Sequence, residues 1–401
     1  MTAEPTTTAR GAAARQHTLR ERNLRLVVRA VFDAPEPLSR ADVAAATGLA
    51  RATVSTLVDR LVAGGLVAEL PPVAAQRAGR PAVPLRPAAR TVVGLGLEVN
   101  VDYLGVTVLD LAGQVVDERV EPGSFHDSDP DVVLPRLGAL ARKVVDDAEA
   151  AGMRVAGARL ALPGLVDART GLLQVAPNLG WSSMDPVPAL GLRTRDGEPL
   201  PVEVANEAKL AAAAELAGDV PPSFLYVSAD VGIGAGIVVD RRLFLGERGW
   251  NGEIGHVVVD PAGPRCSCGN HGCLEQYAGK EVLLRESGLA VDAPVEALVS
   301  ALRAGDPAAV AAVGRGGRAL GQALAAFVNL VDVETVVLGG AYTALYEWLG
   351  GVVADTVQTT ALAAPFSPVA VRPAAAGPHA ATVGGAREVL REVLANPAAW
   401  V

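Results

Sequence analysis

The run Arg265-Cys-Ser-Cys-Gly-Asn-His-Gly-Cys-Leu-Glu275 holds all three cysteines of a 401-residue chain, Cys266, Cys268 and Cys273, and His256 lies ten residues before the first of them. Three thiolates and one imidazole complete a tetrahedral zinc set and leave no position open for a reacting water, so the expected zinc is structural. Gly269 and Gly272 allow turns tight enough for sulfurs so close in sequence to face one ion. The alternative is a surface loop of reduced thiols, but a chain with no cysteine elsewhere favours metal. His271 is a rival imidazole inside the loop; its place in the tight turn favours His256. Glu253, His256 and Glu275 flank the loop, so the metal is expected to shape a binding pocket.

Around this loop the chain reads as alternating layers. Val92 to Leu97, Tyr103 to Asp110 and Gln114 to Val120 have strand character, and a similar passage recurs at Phe224 to Ser228, Ala235 to Val239 and Arg241 to Leu245. Helical patterns such as Leu134 to Ala151 and Glu207 to Leu216 separate the two clusters. Two related lobes imply a cleft between them, a natural ligand site. The glycines of Asp230-Val-Gly-Ile-Gly-Ala-Gly236 allow a ligand close to the backbone, or equally close strand packing. Val336 to Ala341 reads as a buried strand ending in a glycine turn before a helix. A closing helix, Thr382 to Leu394, should dock on the first lobe.

The first ninety residues differ in kind. Thr18 to Asp33 is expected as a helix after a flexible tail. Ser39 and Asp42 form a capping box for a second helix that ends at Gly48. A third runs from about Ala50 to Ala63, burying Val54, Leu57, Val58 and Leu61. The pair matches a helix-turn-helix, whose second helix enters the major groove. Its other face carries Arg51, Thr53, Ser55, Thr56 and Arg60 as candidate DNA contacts. Leu66 to Leu70 and Ala82 to Arg86 form a wing whose tip presents Arg77 and Arg80 to phosphate or minor groove. Residues 1–90 hold thirteen arginines against seven acids, a balance of +6; since the whole chain carries −9, the remainder carries −15. A basic head on an acidic body suits a polyanionic partner for the head. The bland alternative is a three-helix interaction module with solvated arginines.

Half of the residues are hydrophobic and 4% are aromatic, a composition of packed α/β layers. No apolar run approaches the roughly 20 residues that span a bilayer. Reduced cysteines and an N-terminus without a secretory core lead to a cytoplasmic expectation.

These residues resemble the ROK family (repressors, open reading frames and sugar kinases) over nearly the whole chain. The resemblance rests on Glu253-Ile-Gly-His256, the loop from Cys266 to Glu275, Leu162-Pro-Gly164, Pro177-Asn-Leu-Gly-Trp181 and Asn206-Glu207; the cysteine loop is its most specific part. The resemblance implies an α/β protein, an N-terminal winged helix-turn-helix followed by an actin-like (ribonuclease H-like) two-lobed domain. The expected divisions are a tail over 1–17, the head over 18–90, lobe 1 over 91–205 with a C-terminal helix 382–401, and lobe 2 with the zinc loop over 206–381. It also implies sugar contacts from Asn178, Asn206, Glu207, Glu253, His256 and Glu275, with Trp181 beside them. Carboxylates accept from vicinal hydroxyls, and an imidazole with one nitrogen on zinc donates through the other.

Two departures from the family's kinases argue against an enzyme. Their Asp-x-Gly-Gly-Thr turn at the first strand is replaced by Glu98-Val-Asn-Val-Asp102, and the catalytic Asp after Asn is replaced by Glu207. Those stretches are nearest the xylose-repressor-like branch, while Lys209 stands where many relatives have Asn. The expectation is a sugar-responsive DNA-binding regulator, a repressor working as a homodimer or dimer of dimers on operator DNA, with a monosaccharide or derivative as effector and no membrane partner. The alternatives are a ROK-type ATP-dependent sugar kinase with an appended DNA-binding domain, and a regulator that binds a protein.

Overall fold

The computed structural model describes residues 7–72, 82–230 and 232–401. Helix α1 (Thr7–Phe32) begins inside the stretch expected as a flexible tail rather than at Thr18, and buries Leu24, Val27, Val28 and Val31 on one face. After β1 (Leu38–Ser39), Ser39 caps α2 (Arg40–Thr47) and the Asp42 carboxylate accepts from the Ser39 amide at 2.9 Å, closing the capping box. Gly48 ends α2 in the left-handed region (φ 70°) and turns the chain into α3 (Arg51–Ala63). Strands β2 (Val67–Glu69) and β3 (Pro84–Pro87) pair antiparallel, and β1 closes the small sheet on the far side of β3. This is a winged helix. Its tip, with Arg77 and Arg80, lies outside the described residues.

Lobe 1 opens with the meander β4 (Val92–Val99), β5 (Tyr103–Asp110) and β6 (Val115–Pro122). Helix α4 (Pro130–Ala150) leads to β7 (Arg154–Leu162), which lies parallel to β4. A small antiparallel sheet follows, β8 (Leu165–Val166), β9 (Leu173–Ala176) and β10 (Trp181–Met184). Helix α5 (Val187–Leu190) and strand β11 (Val202–Asn206) complete the lobe, and helix α6 (Glu207–Glu215) follows at the junction with lobe 2. Lobe 2 has its own meander, β12 (Phe224–Ala229), β13 (Ile233–Val239) and a two-residue β14 (Arg242–Leu243), shorter than the strand expected there. After the cysteine loop come α7 (Glu275–Ala278), α8 (Lys280–Glu286), α9 (Val295–Arg303) and α10 (Pro307–Val331). Strand β15 (Thr335–Gly340), helix α11 (Ala341–Thr360), strand β16 (Ala370–Pro373) and helix α12 (Ala380–Ala395) end the fold.

The two large sheets run β6-β5-β4-β7-β11 and β14-β13-β12-β15-β16. Each is an antiparallel meander extended by two parallel strands in the same order, so the lobes are structural duplicates. The central strands β4 and β12 are buried at every residue, as sheets covered on both faces require. Between the sheets, α6 and α12 stack against each other and against both lobes. The stack is tight: a Cβ on Gly96 of β4 would lie 1.7 Å from the Thr382 carbonyl of α12. The head's core is continuous with the body, since Val27, Leu61 and Leu66 share a cluster with Val92, Leu109, Leu390 and Val393. Among the described residues, no single helix is long and apolar enough to cross a membrane.

Candidate ligand cleft and metal centre

A cavity of about 500 Å³ opens between the lobes, within the size range of small-molecule sites. All six expected sugar contacts line it: Asn178, Asn206, Glu207, Glu253, His256 and Glu275. The β9–β10 turn brings Asn178, the β11–α6 junction brings Asn206 and Glu207, the 3-10 turn Ile254–His256 brings Glu253 and His256, and α7 starts at Glu275. The backbone of β13 closes in on Glu275, whose Oε2 accepts from the Ile233 amide at 3.4 Å. A Cβ on Gly232 would come within 2.9 Å of that same oxygen.

Asn206 is already occupied. Its Oδ1 caps α6 by accepting from the Ala208 and Lys209 amides at 3.0 and 3.3 Å, and its Nδ2 donates to the Gly164 carbonyl. One amide hydrogen remains for a ligand. Trp181 is corrected outright: it is 2% exposed in the core of lobe 1, with Nε1 donating to the Ser128 carbonyl at 2.9 Å. Lys209 is buried and donates to the Gly249 carbonyl.

The structure adds Asn100 and Asp230 to the cleft wall. Asp230 opens a run in which the glycines dominate the reading, and an acid at a strand end facing the cleft is the signal it carries. Behind the wall, Glu98 accepts from Tyr103 Oη at 2.9 Å and Asn100 Nδ2 at 3.3 Å. Burial nevertheless pushes its carboxyl up to about 7. Burial, then the charges of Glu98, Asp230 and Glu253, holds Glu207 well above the carboxylate range, and its Oε2 is buried with no hydrogen-bond partner among the described residues. Val101 is 1% exposed and packs into the lobe 1 core.

Beside the cleft, His256, Cys266, Cys268 and Cys273 each bring a donor atom within 4.8 Å of the others. His256 Nδ1 lies 3.8 Å from Cys266 Sγ, and the Cys268 and Cys273 sulfurs are 3.6 Å apart. Metal–sulfur bonds of about 2.3 Å give a tetrahedron with edges of about 3.8 Å, so the residues fit a tetrahedral metal. Gly272 makes the loop possible: at φ +67°, a Cβ there would lie 1.5 Å from the Asp260 carbonyl. His271 is exposed, approaches the Gly263 carbonyl at 3.4 Å and stands outside the donor cluster.

In the head, Arg51, Thr53, Thr56 and Arg60 lie exposed on α3. Ser55 is half-buried, and its carbonyl accepts from Arg40 Nη1 at 3.0 Å. Arg40 also pairs with Asp59 and Glu69, tying α3 to β2. That leaves Ser55 the least available of the candidate contacts on α3.

The ROK family profile matches residues 94–392, and the MarR family profile matches residues 26–78. The xylose repressor of Caldicellulosiruptor bescii is 29% identical over 343 residues, covering 80% of this chain and 84% of that protein. The DNA-binding transcriptional dual regulator NagC of Escherichia coli is 28% identical over 349 residues, covering 83% and 84%. A crystal structure of a ROK family transcriptional regulator, a homolog of the E. coli MLC protein, superposes with a TM-score of 0.78 at 28% identity, over 94% of this chain and 97% of that one. With a duplicated two-lobed body and a winged-helix head ahead of it, this chain belongs to the ROK family.

Proposed function

We propose that this protein is a transcriptional repressor whose hold on operator DNA is set by a monosaccharide, or a derivative of one, in the interlobe cleft. One observation carries the reading: a single chain joins an exposed recognition helix to an enclosed cleft of amides and carboxylates. A relative named xylose repressor and one named DNA-binding transcriptional dual regulator align over 80% and 83% of this chain, which supports the reading. Asn178, Glu207, Glu253 and Glu275 would accept from or donate to sugar hydroxyls. His256, bound through Nδ1, would donate from Nε2. Zinc would supply no reaction here; it would hold His256 and Glu275 in register. Arg51, Thr53, Thr56 and Arg60 would face DNA, with Arg77 and Arg80 reaching from the wing. A two-fold operator calls for a dimer or a dimer of dimers, acting in the cytoplasm. The reading is non-enzymatic: Glu98-Val-Asn-Val-Asp102 stands in place of the kinases' glycine turn, and Glu207 in place of the aspartate base.

The test begins by selecting bound fragments from a genomic library to obtain an operator. Titrating that operator by fluorescence anisotropy, with and without each of a panel of pentoses and hexoses, should show a sugar-dependent change in affinity. Arg51→Ala should weaken operator binding roughly tenfold or more while sugar affinity is unchanged. An operator affinity indifferent to every sugar, or steady turnover of a sugar with MgATP, would refute the reading.

A further inference from the structure

We propose that the cleft selects an uncharged, unphosphorylated sugar and rejects sugar phosphates and nucleotides, with Asp230 as the main discriminating residue. This deepens the sugar-responsive reading and rests on it.

Among the described residues lining the cavity there are four carboxylates, Glu207, Asp230, Glu253 and Glu275, and no lysine or arginine. A phosphate ester is recognised by guanidinium or ammonium groups, or by main-chain amides at a helix start. Of the helix starts near the cleft, α6 has its Ala208 and Lys209 amides capped by Asn206, and α11 begins at Ala341 after the glycine turn Gly339-Gly340, beside the cleft-lining Asp230. That position is taken. The Asp230 carboxylate lies so close to the turn that a Cβ on Gly340 would sit 2.7 Å from its Oδ1.

The protein therefore places its own anion where an incoming one would find free amides and a favourable dipole. Lys280, the cation acting on Asp230, pairs with Asp102 of the other lobe at 3.6 Å. A phosphoryl group would meet Asp230 and the other acidic side chains of the lining with no lysine or arginine among them to offset its charge. Neutral hydroxyls meet the same carboxylates as acceptors. The arrangement repels one class of ligand and serves the other.

Calorimetry on the full-length, metal-loaded protein tests this with matched pairs: D-xylose, D-glucose and N-acetylglucosamine against the phosphate ester of each, together with MgADP. At least one free sugar should bind at least tenfold tighter than its own ester, and MgADP should give no binding heat. Asp230→Asn keeps the shape of the side chain and removes the charge, so the preference for free sugar over ester should shrink, by roughly tenfold at most. An ester that binds as tightly as its parent sugar overturns the inference while leaving the sugar-responsive reading intact. An unchanged preference in a folded Asp230→Asn variant overturns the role of Asp230. Should that variant fail to fold, the matched pairs in the wild-type protein still decide the selectivity. If neither sugars nor esters bind and operator affinity responds to none, the underlying reading falls, and the inference with it.

Discussion

Glu98 is 3% exposed on β4, and two donors, from Tyr103 and Asn100, do not offset the loss of water around its carboxylate. Its folded value of about 7 stands above the ordinary 4.5, so the fold favours the protonated form. The stability this gives is complete below about 4.5 and is lost as pH rises through 7. At pH 8 the buried charge costs on the order of 3 kcal/mol, an upper bound. Glu98→Gln should therefore raise the melting temperature at pH 8 and change it little at pH 4.5; equal gains at both would show that titration is not the cause. The metal ligands give a second contrast at this scale. His256→Ala and Cys273→Ser should lose the metal, seen as a drop from about one zinc per chain by plasma mass spectrometry, and should melt lower. His271→Ala should keep the metal. Loss of metal in that variant would show that the loop, not the 3-10 turn, supplies the imidazole. Both metal-losing variants should also lose the sugar response, because Glu275 begins only two residues after Cys273.

Helix packing makes a prediction about two glycines in similar helices. A Cβ on Gly384 of α12 would lie 1.7 Å from the Leu210 carbonyl of α6, while one on Gly351 of α11 would meet nothing within 4 Å. Gly384→Ala must push the two helices apart and should cost about 3 kcal/mol or more. Gly351→Ala should stabilise by up to about 1 kcal/mol through helix propensity. Urea unfolding of both variants checks the pair; similar outcomes would mean that the α6–α12 contact yields easily. The same contacts explain which elements were legible in the sequence. Ser39 and Asp42 announce α2 by local chemistry, and the buried runs of β4, β12 and β15 announce sheets covered on both faces. Helix α10 is different, because its Gly-Arg-Gly-Gly stretch reads as a loop. Its glycines are contact points instead: a Cβ on Gly321 would lie 2.5 Å from Thr356 on α11. Only the partner helix reveals that. In the cleft, motif spacing marked the acids beside the cysteine loop. Asn206 and Trp181 carry the same kind of motif signal, yet one mainly caps a helix and the other fills a core. The role of Asp230 depends on the turn at Gly340, more than a hundred residues away, and no local pattern encodes it.

A sugar in the cleft can affect the head through elements that link the two, and α12 is one. At its start, Thr382 and Thr107 share a hydroxyl hydrogen bond of 2.6 Å, and the His379 ring stands edge-on to Tyr103 at 5.2 Å. Tyr103 in turn donates to Glu98 behind the cleft wall. Toward its end, Ala386, Leu390 and Val393 join the core of the winged helix. The chain then folds back so that Val401 packs on Gly64 after α3, where a Cβ would lie 2.4 Å from Val401 Cγ1. Arg154 seals this joint, stacking over the Trp400 ring at 5.2 Å and donating to the Gly64 carbonyl. The head is thus fixed to the helix whose other end meets the ligand lobe. Trp400→Ala should loosen that joint without touching the cleft or the metal. Sugar affinity of the free protein should stay at the wild-type value, while the ratio of operator affinities with and without sugar should move toward one. Coupling is reciprocal, so the shift in sugar affinity on adding operator DNA should shrink by the same factor. Wild-type coupling in a folded Trp400→Ala protein would route the signal elsewhere, through a rearrangement of subunits rather than through α12.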